Sequence, residues 1–183
     1  MKTGIVVVDL QNEYLPAGKL PLSGIEAAVA SARRVIDHAR STGLPVFHIR
    51  HESDDNAAGF FIKGSHGVET QPAVSPTGEE AVIVKNHINA FRETELKKQL
   101  DARGIQRLVI VGAMSHMCID AVTRAAHDFG YSCAVAHDAC ATLALEFNGV
   151  SVPASKVHAA YMAALAFAYA KVDTTDALLG DLA

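Results

Sequence analysis

Three residues of different chemistry, Asp9, Lys85 and Cys118, each follow a short run of apolar residues in the sequence. A carboxylate, an ammonium and a thiol together can carry out nucleophilic catalysis, because the carboxylate takes the thiol proton and the ammonium balances negative charge. The thiolate, and not the neutral thiol, is the reactive form of a cysteine. These residue types therefore predict cysteine-based chemistry, provided that the fold brings them together.

Cys118 lies between a predicted strand that ends at Gly112 and a predicted helix that ends at Gly130. β-Branched residues fill the strand, and apolar residues recur at helical spacing after it. We therefore expect the thiol in the first turn of a helix, where unpaired N–H groups and the positive dipole end favour the thiolate. A small core residue is the alternative role of such a cysteine, but Asp9 and Lys85 favour catalysis.

The elements that position these residues alternate between strands and helices. Strands are predicted at residues 3–8, 45–49, 81–84, 107–112, 132–136 and 171–173, and helices at 25–42, 96–103, 118–129 and 154–169. Repeated βα units with apolar strands indicate an α/β fold, a parallel sheet with helices on both faces. Ligands of such sheets bind at the carboxyl ends of the strands, where Asp9, Lys85 and Cys118 are expected.

The composition indicates a globular protein with a single domain over residues 1–183. Half of the residues are hydrophobic, a fifth are charged and the net charge is −4, so a nucleic-acid partner is not expected. Three cysteines, Cys118, Cys133 and Cys140, argue against a disulfide framework and for a reducing, cytoplasmic location. Asp9 interrupts the first apolar run, so this run is not a signal peptide. The apolar stretch 157–172 is too short for a comfortable membrane span.

Three segments resemble the signatures of the isochorismatase-like cysteine hydrolases. They are Val-Val-Asp9-Leu-Gln-Asn, Lys85-Asn-His-Ile-Asn-Ala-Phe91 and Gly112-Ala-Met-Ser-His-Met-Cys118. They occur in the family's order, and segments 64–69 and 137–142 also correspond. The resemblance implies a Rossmann-like, three-layer α/β/α fold with a six-stranded, mostly parallel sheet. It also implies that Asp9, Lys85 and Cys118 form a catalytic triad.

The resemblance assigns a role to each residue of the predicted triad. Cys118 would attack the carbonyl of an amide, lactam or related group and form a thioester, with Asp9 as acid and base and Lys85 as the cation that tunes both. The backbone N–H groups of Met114 and Cys118 would hold the oxyanion, after a cis peptide at Ala113–Met114. In the resemblance, the true isochorismatase subgroup often has another residue at the cysteine position and cleaves a vinyl ether. Because this chain has Cys118 there, the resemblance favours hydrolysis of a C–N bond.

A metal or other cofactor is not expected. The nicotinamidase branch of the family has an Asp-x-His pair after the second strand, where this chain has His48 and His51 without that pair. Near the third ligand position stand Phe60 and Phe61, whose rings cannot replace an imidazole. A metal held by His48, His51 and His87 is the alternative.

The substrate is expected to be a small planar or apolar molecule. Residues 50–80 lack periodicity and contain several Gly and Pro residues, and such a long loop is usually functional. Apolar and ring side chains could line the pocket, and these candidates are Phe60, Phe61, His87, Phe91 and His116. Gln11 and Tyr14 could supply polar contacts to the substrate.

The alternatives to a hydrolase are a thiol redox or sensing protein and a nucleotide-binding module. A thiol redox or sensing protein would need Cys140 as the partner of Cys118, since the chain has no Cys-x-x-Cys. A nucleotide-binding module would need a Gly-x-Gly-x-x-Gly turn after the first strand, and Asp9-Leu-Gln-Asn stands there instead. The helix over 159–170 shows little polarity on any face, so we expect a homodimer or larger homo-oligomer.

Overall fold

The structure is a computed structural model that describes residues 1–53 and 58–182. The strands are β1 Thr3–Val8, β2 Val46–His51, β3 Ala81–Lys85, β4 Arg107–Ala113, β5 Ser132–Ala141, β6 Leu145–Phe147, β7 Val150–Val152 and β8 Lys171–Asp173. The helices are α1 Ile25–Thr42, α2 Leu96–Ala102, α3 Asp120–Asp128, α4 Ala154–Ala168 and α5 Thr175–Gly180.

Six strands form one sheet in the order β3-β2-β1-β4-β5-β8, and every neighbouring pair is parallel. The α/β class and the six-stranded parallel sheet that the family resemblance implied are therefore confirmed. The chain winds from β1 towards β2 on one side and reaches β4 on the other. Such a reversal opens a crevice at the carboxyl ends of the two central strands.

The two faces of the sheet carry separate apolar cores, which gives the molecule three layers. Successive side chains of a strand point to opposite faces, so Val7 and Val111 pack with α1 and α5 while Val6 and Ile110 pack with α2, α3 and α4. The central strands are buried on both sides, which explains their unbroken apolar runs.

Strand β5 is longer than the sequence predicted. Its pairing with β4 shifts in register between Ile110 and Gly112 and then continues to Ala141. Cys140, which was expected beyond this strand, therefore lies within it, opposite Gly112. Sequence reasoning ended the strand at Ala136, because the polar residues that follow interrupt the apolar pattern. It also did not find the β6–β7 hairpin or α5.

The long segment 50–80 is only partly described, since residues 54–57 lie outside the described part of the chain. Its later part forms two 3₁₀ turns, at His66–Val68 and Pro72–Val74. Backbone hydrogen bonds join it to the residues after β1, from Asn12 N to Glu69 O at 2.9 Å and from Gln71 N to Leu10 O at 2.9 Å. The segment thus covers the chain just beyond Asp9.

Gly112 allows β1 and β4 to approach closely at the carboxyl edge. Its φ is +129°, and a Cβ atom there would lie 2.0 Å from the carbonyl oxygen of Val8. We expect Gly112→Ala to lower the free energy of unfolding by at least about 3 kcal/mol, measured by urea titration. The control is Gly130→Ala. Gly130 also has a positive φ, +91°, but a Cβ atom there would meet no other atom within 4 Å. This substitution should lower the free energy of unfolding by only about 1 kcal/mol. Equal losses would contradict this account.

A partly buried ion cluster connects α1 to the sheet and makes stability depend on pH. Glu80 accepts two hydrogen bonds from Arg40, each 2.8 Å long, and one from Thr77 N, and it contacts His48 Nε2 at 3.0 Å. Burial alone would raise the pKa of Glu80, but these partners lower it to about 2. The cluster's stabilisation is therefore complete above about pH 4.5 and is lost as the pH falls towards 2.

We accordingly expect Glu80→Gln to be less stable than the parent at pH 7. Between pH 4.5 and 2 its urea midpoint should fall less steeply than that of the parent, because the titrating carboxylate is gone. The neighbouring, exposed Glu79 supplies the control, since Glu79→Gln should keep the parental slope. Parallel pH profiles for Glu80→Gln and the parent would contradict the assignment.

Large apolar side chains are exposed on α4 and on the β6–β7 hairpin. Phe167 is 92% exposed, Phe147 75% and Val150 63%. Such residues are typical of surfaces that associate, and the predicted homo-oligomer stays a prediction. No helix in the described part of the chain is both long and apolar enough to cross a bilayer. The cytoplasmic location also stays a prediction.

Candidate active site

The carboxyl edge of the sheet brings Asp9, Lys85 and Cys118 together. Asp9 directly follows the central strand β1, and its N–H donates to Ile49 O at 3.0 Å. Lys85 ends β3, and its ammonium Nζ lies 2.8 Å from Asp9 Oδ2 and 3.2 Å from Cys118 Sγ. All three side chains are almost fully buried. The three predicted residues therefore form one contiguous cluster around the Lys85 ammonium.

Cys118 lies in a wide helical turn that precedes α3. Residues Ser115–Ile119 form a single π-helical turn, in which Ile119 N donates to Met114 O at 3.2 Å. Sequence reasoning expected the first turn of an ordinary α-helix, and π turns of this kind often occur at functional sites. The Ser115 hydroxyl fastens the turn by donating to Ala141 O at 3.3 Å.

The expected oxyanion donors lie at the two ends of this turn. The Ala113–Met114 peptide is cis, as the family resemblance implied. Outside the regular helices and strands, no hydrogen bond among the described residues uses the N–H of Met114 or of Cys118. The two N–H groups are therefore the candidates to bind a developing negative oxygen.

The pKa of the Cys118 thiol is raised, whereas its place at a helix start predicts a lowered one. Burial and the negative charge of Asp9 raise the pKa of Cys118, and the positive charge of Lys85 lowers it by less. The side chain is only 4% exposed, and a buried thiolate loses its hydration. The thiol must therefore give its proton to a base when it reacts.

Asp9 is placed to be that base. The Lys85 ammonium lies 2.8 Å from Asp9 Oδ2 and balances the charge of the carboxylate, while Oδ1 has no hydrogen-bond partner among the described residues. Buried acceptors are normally paired, so the free Oδ1 needs an explanation. A lone pair that is ready to take the thiol proton supplies it. Although burial opposes it, the charge of Asp9 raises the pKa of Lys85, which stays an ammonium.

The side-chain amide of Gln11, a predicted substrate contact, forms three hydrogen bonds within the protein. Its Nε2 donates to His51 O and to Val68 O, each at 2.8 Å, and its Oε1 accepts from His51 N at 2.9 Å. The side chain is fully buried, and its amide joins β2 to the long segment. Contact between Gln11 and a substrate stays a prediction.

Tyr14 and Phe61 form an aromatic wall beside the cluster. The two rings meet edge to face, with centroids 5.1 Å apart, and Phe61 also contacts the ring of His51 at 5.3 Å. Burial, and then the charge of Asp9, raise the pKa of Tyr14, so its phenol stays protonated. Its hydroxyl has no hydrogen-bond partner among the described residues, which leaves it free for a ligand.

Phe60, His87 and His116, three further predicted pocket residues, lie in different parts of the structure. Phe60 is 41% exposed and packs beside Phe61. The ring of His87 contacts Glu93 Oε2 at 2.9 Å, and the ring of His116 contacts Thr142 Oγ1 at 2.6 Å. These three residues stay candidates.

The ring of Phe91, a predicted substrate contact, packs against other aromatic rings. Its centroid lies 5.1 Å from that of Phe129 and 6.3 Å from that of Tyr131. Phe91 packs against the apolar core that contains α2 and α3 residues. Contact between Phe91 and a substrate stays a prediction.

Sequence reasoning missed the position of His51 beside the ammonium. His51 ends β2, directly opposite Lys85 in the strand register, and its Nδ1 lies 3.0 Å from Lys85 Nζ. The signal was available, since His51 ends a strand just as Lys85 does. The sequence analysis gives His51 only the role of a possible metal ligand.

The geometry favours neither the metal alternative nor the redox alternative. His48 contacts Glu80 while His51 contacts Lys85, so the two rings have separate partners. The described residues contain no group of three metal-ligating side chains. Burial raises the pKa of Cys140, and no cation among the described residues opposes that rise as Lys85 does at Cys118.

Comparisons with known proteins place the chain in one family. The Isochorismatase domain matches residues 3–169. The isochorismatase family protein YddQ of Bacillus subtilis (strain 168) is 46% identical over 179 residues, which cover 98% of this chain and 99% of YddQ. Streptothricin hydrolase of Streptomyces noursei is 33% identical over 147 residues, 75% of this chain and 49% of that protein.

A solved structure from Oleispira antarctica has the same fold. It superposes with a TM-score of 0.94 at 54% identity and covers 98% of this chain and 96% of its own. The match extends over the sheet and over the segments that carry Asp9, Lys85 and Cys118. The chain therefore belongs to the isochorismatase family of hydrolases.

Proposed function

We propose that the protein is a cysteine hydrolase that cleaves an amide, lactam or related C–N bond of a small molecule. The observation that carries this proposal is the position of the Lys85 ammonium, 2.8 Å from Asp9 Oδ2 and 3.2 Å from Cys118 Sγ in a buried site. A nucleophile, a base and a charge-balancing cation in contact are the parts that covalent catalysis requires.

The first step forms a thioester. Asp9 takes the proton of the Cys118 thiol, and the sulfur forms a bond to the substrate carbonyl carbon. The N–H groups of Met114 and Cys118 hold the oxygen as it becomes negative, and Lys85 offsets the charge on sulfur. When the C–N bond breaks, the protonated Asp9 gives its proton to the leaving nitrogen.

The second step releases the acid and restores the enzyme. Asp9, again a carboxylate, takes a proton from water as the water oxygen attacks the thioester carbonyl. The C–S bond then breaks, and the sulfur regains a proton from Asp9. The same carboxylate therefore serves both halves of the reaction, and no histidine is needed as base.

The residues around the cluster favour a compact, partly apolar substrate. Tyr14 and Phe61 offer an apolar wall with one free hydroxyl, which suits a planar group with a polar edge. Similarity to streptothricin hydrolase supports hydrolysis of a small molecule, and a lactam-containing compound stays one option within this class. The net charge of −4 supports a small molecule over a nucleic acid as the partner.

A panel of amides, lactams and carbamoyl compounds tests this function, with intact-mass detection of an acyl adduct. Isochorismate is added as the substrate of the alternative vinyl-ether cleavage. We expect an adduct on Cys118 with at least one C–N compound and release of its amine. Turnover of isochorismate without any adduct would reject the proposal.

A further inference from the structure

The Lys85 ammonium has three N–H donors and three neighbours at hydrogen-bond distance. Two are Asp9 Oδ2 and Cys118 Sγ, and the third is His51 Nδ1 at 3.0 Å. An ammonium donates only, so the nitrogen of His51 that faces it must be an acceptor. The proton of a neutral ring is then on Nε2.

The surroundings of His51 suit this single orientation of the ring. Gln11 holds the backbone of His51 on both sides, by donating to its carbonyl and accepting from its N–H. Phe61 packs against the ring in an edge-to-face contact, with centroids 5.3 Å apart. The ring therefore contacts Phe61 and, through Nδ1, the Lys85 ammonium.

We propose that His51 is a positioning residue that holds the Lys85 ammonium between Asp9 and Cys118, as a neutral imidazole with a bare Nδ1. Without this acceptor, one N–H of a buried cation would be unpaired, and the ammonium would turn away from the sulfur. The assignment deepens the proposed hydrolase function and rests on it for its biological meaning.

The charges that face His51 agree with this protonation state. Burial and the positive charge of Lys85 lower the pKa of His51, and the charge of His87 acts in the same direction. The charge of Asp9 and the hydrogen bond to the backbone of His87 raise it by less. An imidazolium at this position would place two cations in contact.

The first test reads the tautomer of His51 in the intact, unsubstituted protein. Long-range ¹H–¹⁵N spectra, assigned with His51→Asn, should show an unprotonated Nδ1 and a protonated Nε2 at pH 7. A proton on Nδ1, or a doubly protonated ring, would overturn the assignment. This measurement needs no substrate, and the tautomer is read in the parent protein.

The second test compares two substitutions by the rate at which iodoacetamide alkylates Cys118, read by peptide mass. His51→Asn keeps an acceptor at the δ1 position, whereas His51→Leu removes it. We expect alkylation to slow about tenfold or more in His51→Leu and to stay within about threefold of the parent in His51→Asn. Equal rates in all three proteins would overturn the proposal.

A matched control separates positioning from general loss of a buried histidine. His48 lies on the same strand, is buried, and contacts Glu80 instead of Lys85. His48→Asn should leave the Cys118 alkylation rate near the parental value even if it lowers the unfolding midpoint. If the substrate panel gives no acyl adduct while these rates differ as expected, the hydrolase function fails and the placement of His51 stands.

Discussion

Cys118→Ala is expected to abolish the acyl adduct and to lower kcat by about 10⁴–10⁶, because no other group in the cluster can form a thioester. Lys85 is held as an ammonium and Asp9 accepts the proton, so neither replaces the sulfur as the attacking atom. The measurement is steady-state product release, together with intact mass after a short exposure to substrate. The alanine variant should show the unmodified mass at every time point.

The matched control is Cys140→Ala. Cys140 is buried in β5 like Cys118 in its turn, but it pairs with Gly112 and has no charged neighbour in the cluster. We expect Cys140→Ala to keep the adduct and the turnover within about threefold, since it removes only a buried sulfur. Loss of the adduct in Cys140→Ala with retention in Cys118→Ala would reject Cys118 as the nucleophile.

Asp9→Asn is expected to lower kcat by about 10³–10⁴, because the amide has nearly the same shape but cannot take the thiol proton. The same change should lower the pKa of Cys118, since the negative charge of Asp9 raises that pKa in the parent. Turnover should therefore fall while the midpoint of the pH profile for alkylation moves to lower pH. A merely structural role of Asp9 would not produce these opposite changes.

Asp120 provides the control for the effects of Asp9→Asn on turnover and on the alkylation profile. It lies two residues after Cys118 and pairs with Arg124 on the first turn of α3, outside the cluster. Asp120→Asn should leave turnover within about threefold and should not shift the alkylation profile to lower pH, as expected for a remote ion pair. If Asp9→Asn and Asp120→Asn behave alike, Asp9 is not the base.

The alternation of apolar strands and helices was sufficient to predict the α/β class and the edge at which the site lies. Six strands were predicted near their observed positions. The central strands were the clearest, because burial on both faces leaves unbroken apolar runs such as Val6, Val7 and Val8. Their ends also identified Asp9 and Lys85, since the polar residue after such a run must lie at the edge of the sheet. These features depend on local patterns that the sequence contains.

The roles of Gln11, Phe91 and His51 were decided only by tertiary contacts. Gln11 binds the backbone of residues 40 and 57 positions further along the chain, and no local pattern records such partners. Burial likewise set the direction of the Cys118 pKa, because desolvation outweighed the favourable charge of Lys85. The sequence by itself determined which chemical groups reach the carboxyl edge. The packing around them determined which nitrogen faces the ammonium and which form of the thiol is stable there, because both depend on distances of a few ångströms between distant segments.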